Sequence, residues 1–97
     1  MNLLKETVGR MMEYGKSPED VLFVMDRDSW CSWEEFVKNA DFEYNDGYGG
    51  HEIELELKVV GKDWWLERGE YDGSEWWEFK TMPTQPITNK LPKIRHE

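Results

Sequence analysis

Two tight-turn signals, Gly61-Lys62 and Asp72-Gly73, divide residues 52–81 into three short runs. Gly followed by a polar residue is typical of a type II′ hairpin turn, and Asp-Gly of a type I′ turn. In the first run, apolar residues alternate with Glu and Lys, which is the period of a half-buried strand. The sequence therefore predicts a three-stranded antiparallel meander.

Two-residue loops at both turns fix which residues stand opposite one another. The first loop places Val59 opposite Trp64 and Leu57 opposite Leu66, and the second places Leu66 opposite Phe79. All five side chains are apolar and share one face, whereas a one-residue slip would turn every side chain to the other face. We expect this face to lie on the core.

The opposite face of the predicted meander carries charge and tryptophan. Its lateral rows are Lys58-Trp65-Lys80, Glu56-Glu67-Glu78 and Glu54-Gly69-Trp76. Directly opposed like charges are destabilising, so either solvent and the neighbouring lysines offset the three glutamates, or the glutamate row docks basic residues of a partner. The predicted partner-binding residues are Glu54, Glu56, Glu67, Glu78, Trp65, Trp76 and Tyr71.

Two helices are predicted before the meander. Asn2 can cap a helix over residues 3–14 that ends at Gly15. Ser32 opens a capping box before a second helix over residues 33–40.

Residues 21–26, between these helices, form a short apolar run that predicts a strand extending the sheet, with a helical turn begun at Ser17 as the alternative. Arg68 falls on the apolar face beside Trp77, where we expect it to stack and to direct its guanidinium outward into solvent. The predicted fold class is α+β, with both helices packed on one face of the meander.

The 97 residues are enough for one small domain. We assign residues 1–82 to a single α+β domain and residues 83–97, which contain three prolines and several basic residues, to an irregular or disordered tail. No run reaches the roughly 20 apolar residues of a membrane helix, so we expect a cytoplasmic protein with no membrane partner.

Acidic residues concentrate in the middle of the chain. Residues 41–78 hold 12 acidic and 3 basic residues, which equals the entire net charge of −9. Such a field repels phosphate backbones and attracts basic protein surfaces. We therefore expect a basic protein partner and no direct nucleic-acid binding.

A calcium site and a sugar site are the two ligand hypotheses that the residues permit. Asp41, Glu43, Asn45 and Glu52 match positions 1, 3, 5 and 12 of a calcium loop, although Asp46 stands where the loop needs Gly. The alternative is an acidic, Gly-rich connection, and we predict no cofactor.

The doubled tryptophans each direct one ring, Trp65 or Trp76, to the outer face, where it could stack on a sugar. No nucleophile–base pair, phosphate loop or metal triad is present in the sequence, so we expect no enzymatic activity.

Two Trp-rich segments, VVGKDWWLER (residues 59–68) and EYDGSEWWEFKT (residues 70–81), carry a resemblance that also takes in residues 32–36 and the loop ending at residue 50. With these segments the chain resembles a family of short acidic proteins encoded by phages and prophages of Gram-positive bacteria. The motif marks the family and implies no catalytic residues.

This resemblance implies a phage protein acting in the host cytosol. Small acidic phage proteins often inhibit host defence enzymes by occupying basic nucleic-acid-binding grooves, so we expect an anti-CRISPR protein that binds a CRISPR effector nuclease. Its carboxylates would stand in for phosphates, with Trp65, Trp76 or Tyr71 as anchors. The alternatives are a structural or housekeeping phage protein, a homodimer that buries the outer tryptophans, and a carbohydrate-binding module.

Overall fold

The computed structural model describes residues 1–47 and 50–96. Two helices and five strands follow in the order α1 (Leu3–Glu13), β1 (Val21–Met25), β2 (Trp30–Cys31), α2 (Trp33–Ala40), β3 (Lys58–Gly61), β4 (Trp64–Tyr71) and β5 (Ser74–Thr81), with a 3-10 turn at Pro18–Asp20. The strands form one antiparallel sheet in the order β2-β1-β3-β4-β5. The α+β class, both helices and the strand at residues 21–26 are confirmed.

Helix α1 begins at the predicted residue and ends at Glu13, one residue before the predicted end. Asn2 Oδ1 accepts the backbone N–H of Lys5 at 3.0 Å. At the other end Gly15 has a φ of +74°, and the N–H of Lys16 reaches back to the carbonyl of Met11 at 2.9 Å. This is a Schellman motif, in which glycine takes the left-handed conformation that ends the helix.

Both helices pack on one face of the sheet, which we call the inner face. The core combines α1, α2 and the loop before β3 with inner-face strand residues, and its buried apolar members are Leu3, Met11, Val24, Phe36, Ala40, Tyr44, Ile53, Val59, Trp64, Leu66 and Trp77. One buried hydroxyl joins helix to sheet. Thr7 Oγ1 accepts the indole N–H of Trp77 at 2.8 Å and donates to the carbonyl of Leu3 at 2.7 Å.

The first strand of the predicted meander is shorter than expected, because β3 begins at Lys58. The N–H groups of Glu52 and Ile53 donate to the carboxylate of Glu75, at 2.9 Å and 3.2 Å, instead of to a neighbouring strand. A turn then follows, in which the N–H of Leu57 donates to the carbonyl of Glu54 at 3.2 Å. The alternating pattern over residues 52–57 therefore does not build a strand.

The predicted first turn is wrong by one residue. The loop is Lys62-Asp63, so Val59 stands opposite Leu66 rather than Trp64. Gly61 is buried, and a Cβ there would collide with the Trp64 indole, so this glycine serves close packing rather than the turn. The pairing moves by two residues, which keeps the side chains of β3 and β4 on their predicted faces.

The second turn forms as predicted. Asp72 and Gly73 have φ of +51° and +86°, the two positive values that a type I′ turn requires. Tyr71 consequently stands opposite Ser74, and Glu67 opposite Glu78.

Residues 83–96 contain no helix or strand and are exposed along their whole length. Within the described part of the chain, no helix combines the length and the apolar character needed to cross a membrane. The division of the chain at residue 82 stays a prediction.

Candidate partner-binding surface

The face of the sheet that lies away from both helices, which we call the open face, remains in contact with solvent. Burial alternates along β3, β4 and β5, so that buried inner-face residues alternate with partly exposed ones. The strand pairings assign to the open face Phe23, Met25, Trp30, Lys58, Val60, Trp65, Glu67, Gly69, Tyr71, Ser74, Trp76, Glu78 and Lys80. None of these residues is fully buried.

The predicted row of three glutamates does not form. Lys58 stands opposite Glu67, so the row across the sheet is Lys58-Glu67-Glu78 and a cation takes the expected place of Glu56. Glu56 instead lies in the turn before β3, where its carboxylate pairs with Arg27 at 3.4 Å and with Lys58 at 4.0 Å. The like-charge conflict inferred from the sequence is therefore reduced to Glu67 and Glu78.

Each of these two glutamates holds a tryptophan of its own strand. Trp65 Nε1 donates to Glu67 Oε1 at 2.7 Å, and Trp76 Nε1 donates to Glu78 Oε2 at 3.2 Å. Lys80 Nζ adds positive charge 3.6 Å from Glu78 Oε1. The indole N–H groups and Lys80 offset the repulsion between the two facing carboxylates. The carboxylates in turn fix the orientation of the two indole rings.

Gly69 makes room for one of these pairs. It stands opposite Trp76, and a Cβ at this position would lie 2.7 Å from Trp76 Nε1 and 2.9 Å from Glu78 Cδ. Real Cβ atoms do not approach so closely. The missing side chain therefore lets Trp76 and Glu78 lie against the sheet.

The structure brings together four of the seven predicted partner-binding residues, namely Trp65, Glu67, Trp76 and Glu78. Tyr71 lies at the end of β4, 75% exposed, beside the Asp72-Gly73 turn. Glu54 lies in the turn that precedes β3 and is not part of the sheet.

The hairpin of β1 and β2 adds apolar surface that sequence reasoning missed. Trp30 is 73% exposed and contacts Phe23 edge-on, with 6.4 Å between ring centroids. An open groove beside them is lined by Leu22, Phe23, Met25, Trp30 and the connecting turn. The unused signal was the Asp26-to-Ser29 segment, which is typical turn chemistry between two short apolar runs.

Asp26 holds that turn. Its Oδ1 atom accepts the backbone N–H groups of Asp28 at 2.9 Å and Ser29 at 2.7 Å. These hydrogen bonds, that of Asp28 most of all, lower the pKa of Asp26 because they favour the ionised carboxylate. The turn places Trp30 opposite Met25 on the open face.

A buried polar cluster around Arg68 lies behind the open face. The prediction that the Arg68 guanidinium points into solvent is wrong. The guanidinium stacks on the Trp77 ring at 4.7 Å, as expected, but points inward rather than into solvent. Arg68 Nη2 donates to Glu75 Oε1 at 3.1 Å and to the Tyr44 hydroxyl at 3.0 Å. Glu6 supplies a second carboxylate, 3.5 Å from Arg68 Nη1.

Tyr44 closes the cluster from the loop side. Its hydroxyl donates to Glu6 Oε1 at 2.5 Å. Burial raises the pKa of Tyr44 far above its ordinary value, and the hydrogen bond to Glu6 raises it further. The cluster fixes Tyr44, the main chain of Glu52 and Ile53, and α1 against the inner face of β4 and β5.

The four calcium-loop candidates have other partners. Asp41 accepts a hydrogen bond from the side chain of Asn2 at 2.8 Å, and Glu43 pairs with the Met1 ammonium at 3.3 Å. Glu52 accepts the backbone N–H of Asn45 at 2.7 Å. Over residues 1–47 and 50–96, no group of three or more His, Cys, Asp or Glu side chains is placed to hold a metal ion.

Comparison of the chain with protein-family models, with curated proteins and with solved structures finds no match. The resemblance to phage proteins therefore stays a prediction.

Proposed function

We propose that this chain is a small binding protein that docks a basic protein partner on its open face. The observation that carries the proposal is the pair of partly exposed tryptophans, Trp65 and Trp76, each fixed by a glutamate. Fixed aromatic side chains lose little entropy on binding and are enriched among residues that dominate interface energies.

The charge of the chain favours a basic partner. Its net charge of −9 attracts cationic surfaces over a range set by ionic strength. An arginine from the partner can stack on an indole while its guanidinium reaches the adjacent carboxylate, as each Trp–Glu pair offers both groups. Lys58 and Lys80 also lie on the open face, between its carboxylates, and would repel a continuous basic strip. The open face therefore favours a partner whose cationic side chains are spaced apart.

The resemblance to phage proteins supports a finer proposal, in which the partner is a CRISPR effector nuclease of the host and binding blocks its nucleic-acid groove. The acidic character of the chain supports this as well, because a basic groove is the complementary surface. A structural phage protein with the same open face would bind a different basic partner and leave nuclease activity unchanged.

Capture experiments with matched variants test the proposal. The wild-type chain and the variants Trp65→Ala, Trp76→Ala and Met12→Ala are immobilised and exposed to lysate of a Gram-positive host. Met12 is a suitable control because it is exposed on α1, away from the open face. We expect a basic protein to be captured by wild type and by Met12→Ala, and to be lost from both tryptophan variants and at high salt.

Two outcomes contradict the proposal. Equal capture by all four proteins would place the contact elsewhere, and a complex that ignores salt would remove the role of charge. The finer proposal fails if a purified nuclease from the captured fraction keeps its full activity in the presence of the chain.

A further inference from the structure

The tail, residues 83–97, begins two residues after the end of β5, and the structure describes it as far as residue 96. Its three large apolar residues are exposed in this conformation, Ile87 at 102%, Leu91 at 79% and Ile94 at 76%. The radius of gyration of the chain is 16.0 Å, against about 13 Å for a compact domain of this length. The tail therefore projects from the domain and leaves its apolar side chains uncovered.

Tail and domain carry opposite charge. Residues 83–97 contain three basic residues and one acidic residue, a net charge of +2, which leaves −11 for residues 1–82 within the total of −9. Lys90 and Lys93 flank Leu91, so a cation stands on each side of an apolar residue. The tail thus has the chemistry of a ligand of the open face, namely spaced cations with apolar side chains between them.

The groove beside Trp30 matches such a segment. It encloses about 530 Å³ between apolar side chains of the β1–β2 hairpin, which lies in the ~300–1,000 Å³ range of ligand pockets. Asp26 and Asp28 also line it, while the cation between them, Arg27, is already paired with Glu56 at 3.4 Å. The groove offers an apolar site with carboxylates beside it, which complements an apolar residue flanked by lysines.

We propose that the tail closes over the open face as a strap and seats Leu91 in this groove. The end of β5 and the groove lie four strand spacings apart across the sheet and three residues apart along β3. Strands about 4.8 Å apart and a rise of about 3.3 Å per residue make this path about 22 Å long. From Met82 to Leu91 an extended chain reaches about 30 Å, so the tail spans the distance with slack.

Three prolines prepare the tail for this path. Pro83, Pro86 and Pro92 fix φ and favour extended backbone. Less conformational entropy is therefore lost when the strap closes. Proline also lacks the N–H that a sheet requires, so the tail does not continue β5 as a strand and remains free to cross the open face.

This inference rests on the proposed function for its consequence, because a closed strap covers the face that binds the basic partner. A tether of this length gives the tail an effective concentration of about 1 mM at the groove. If the free segment binds with a Kd of about 0.1 mM, the strap is closed in about nine molecules of ten and weakens a competing ligand about tenfold. The tail then acts as a built-in competitor of the partner.

NMR of the full chain tests closure in the absence of any partner. The indole N–H signals of Trp30 and Trp65 report on the open face, and that of the buried Trp77 reports on the inner face. Replacing the apolar tail residues with serine should shift the two open-face signals and leave the Trp77 signal unchanged. Unchanged open-face signals would overturn the proposal. This serine variant carries Ile87→Ser, Leu91→Ser and Ile94→Ser.

A matched control keeps the apolar and basic residues of the tail. Thr84→Ser combined with Thr88→Ser changes the tail at two other positions and should leave all three signals as in the wild type. Lys90→Glu combined with Lys93→Glu should open the strap as the serine variant does. So should about 0.5 M salt, at which the Debye length falls to about 4 Å. Insensitivity to both would contradict the role of charge.

A synthetic peptide of residues 83–97 provides a second measurement, because it competes with the attached tail. It should bind the serine variant about tenfold more tightly than the wild type and shift the signals of Trp30 and Trp65. An equal Kd for both proteins, or binding to neither, overturns the proposal. Open-face signals of the wild type that shift on dilution also overturn it, because they would assign the contact to the tail of a second copy. No basic partner is present, so the strap and the capture of a partner can fail independently.

Discussion

Arg68 Nη2 lies 3.1 Å from Glu75 Oε1, and both side chains are buried. Replacing Arg68 with Met would remove the cation and leave the buried carboxylate of Glu75, and the partly buried one of Glu6, without it. We expect a loss of about 3–5 kcal/mol in the free energy of unfolding, because a broken buried pair leaves an uncompensated charge. Urea unfolding followed by tryptophan fluorescence measures this loss.

The matched control is Arg27→Met. Arg27 pairs with Glu56 at 3.4 Å, but both side chains are exposed. Exposed ion pairs contribute about 0–1 kcal/mol, so this variant should unfold close to wild type. If Arg68→Met also unfolded close to wild type, the buried cluster would not be important for the stability of the fold.

Replacing Thr7 with Val should also destabilise the fold. The substitution keeps the side-chain shape but removes the oxygen that accepts the Trp77 indole N–H. A buried donor left without a partner costs about 1–3 kcal/mol. Thr7→Ser retains the hydroxyl and should lose less stability than Thr7→Val. A larger loss for Ser than for Val would assign the stabilising role to the methyl group of Thr7.

Gly61 and Gly9 form a second matched pair. A Cβ at position 61 would collide with the Trp64 indole, whereas a Cβ at position 9 has open space around it. We expect Gly61→Ala to lower the free energy of unfolding by about 1–3 kcal/mol through overpacking. Gly9→Ala should raise it by about 0.5–1 kcal/mol, because alanine favours the helix. Thermal melts of both variants give the two signs directly.

Acid should loosen the hairpin of β1 and β2. The folded-state pKa of Asp26 is lowered by the N–H groups of Asp28 and Ser29, so its stabilising contribution is present above the unfolded pKa. That contribution is lost as pH falls through the folded pKa. An NMR titration of the Asp26 carboxyl should give a midpoint below that of the unfolded chain, with the Trp30 indole signal following it.

Asp26→Asn is the control for this titration. The amide oxygen can still accept both turn hydrogen bonds, but it does not titrate. The Trp30 signal should then lose its acid transition. A transition of unchanged size in the Asn variant would assign it to another carboxylate.

The helix caps and the second hairpin were predictable because their signals are local. Asn2, Gly15 and Asp72-Gly73 each act on residues only a few positions away. The local sequence therefore determines the backbone conformation at these places. The sequence also predicted correctly which part of the candidate site lies on the second hairpin, because that hairpin has the predicted register. These residues are Trp65, Glu67, Trp76 and Glu78.

The first turn and the direction of the Arg68 side chain could not be predicted locally, because they depend on the folded surroundings of each residue. Gly61 resembles a turn glycine until the Trp64 ring is known to occupy its Cβ position. The inward direction of Arg68 depends on Glu6 and Tyr44, which lie far from it in sequence. Long-range partners of this kind override local preference, and no pattern within residues 52–81 identifies them.

The hydrogen bond from Trp77 to Thr7 joins residues 70 positions apart. Helix α1 is synthesised before the five strands, yet the indole that donates to its buried hydroxyl lies on β5. Contacts of such separation must overcome the entropy of closing a long loop before they stabilise the chain. Helix α1 can therefore complete this contact only after β5 has left the ribosome, so the core forms late relative to the synthesis of the helix.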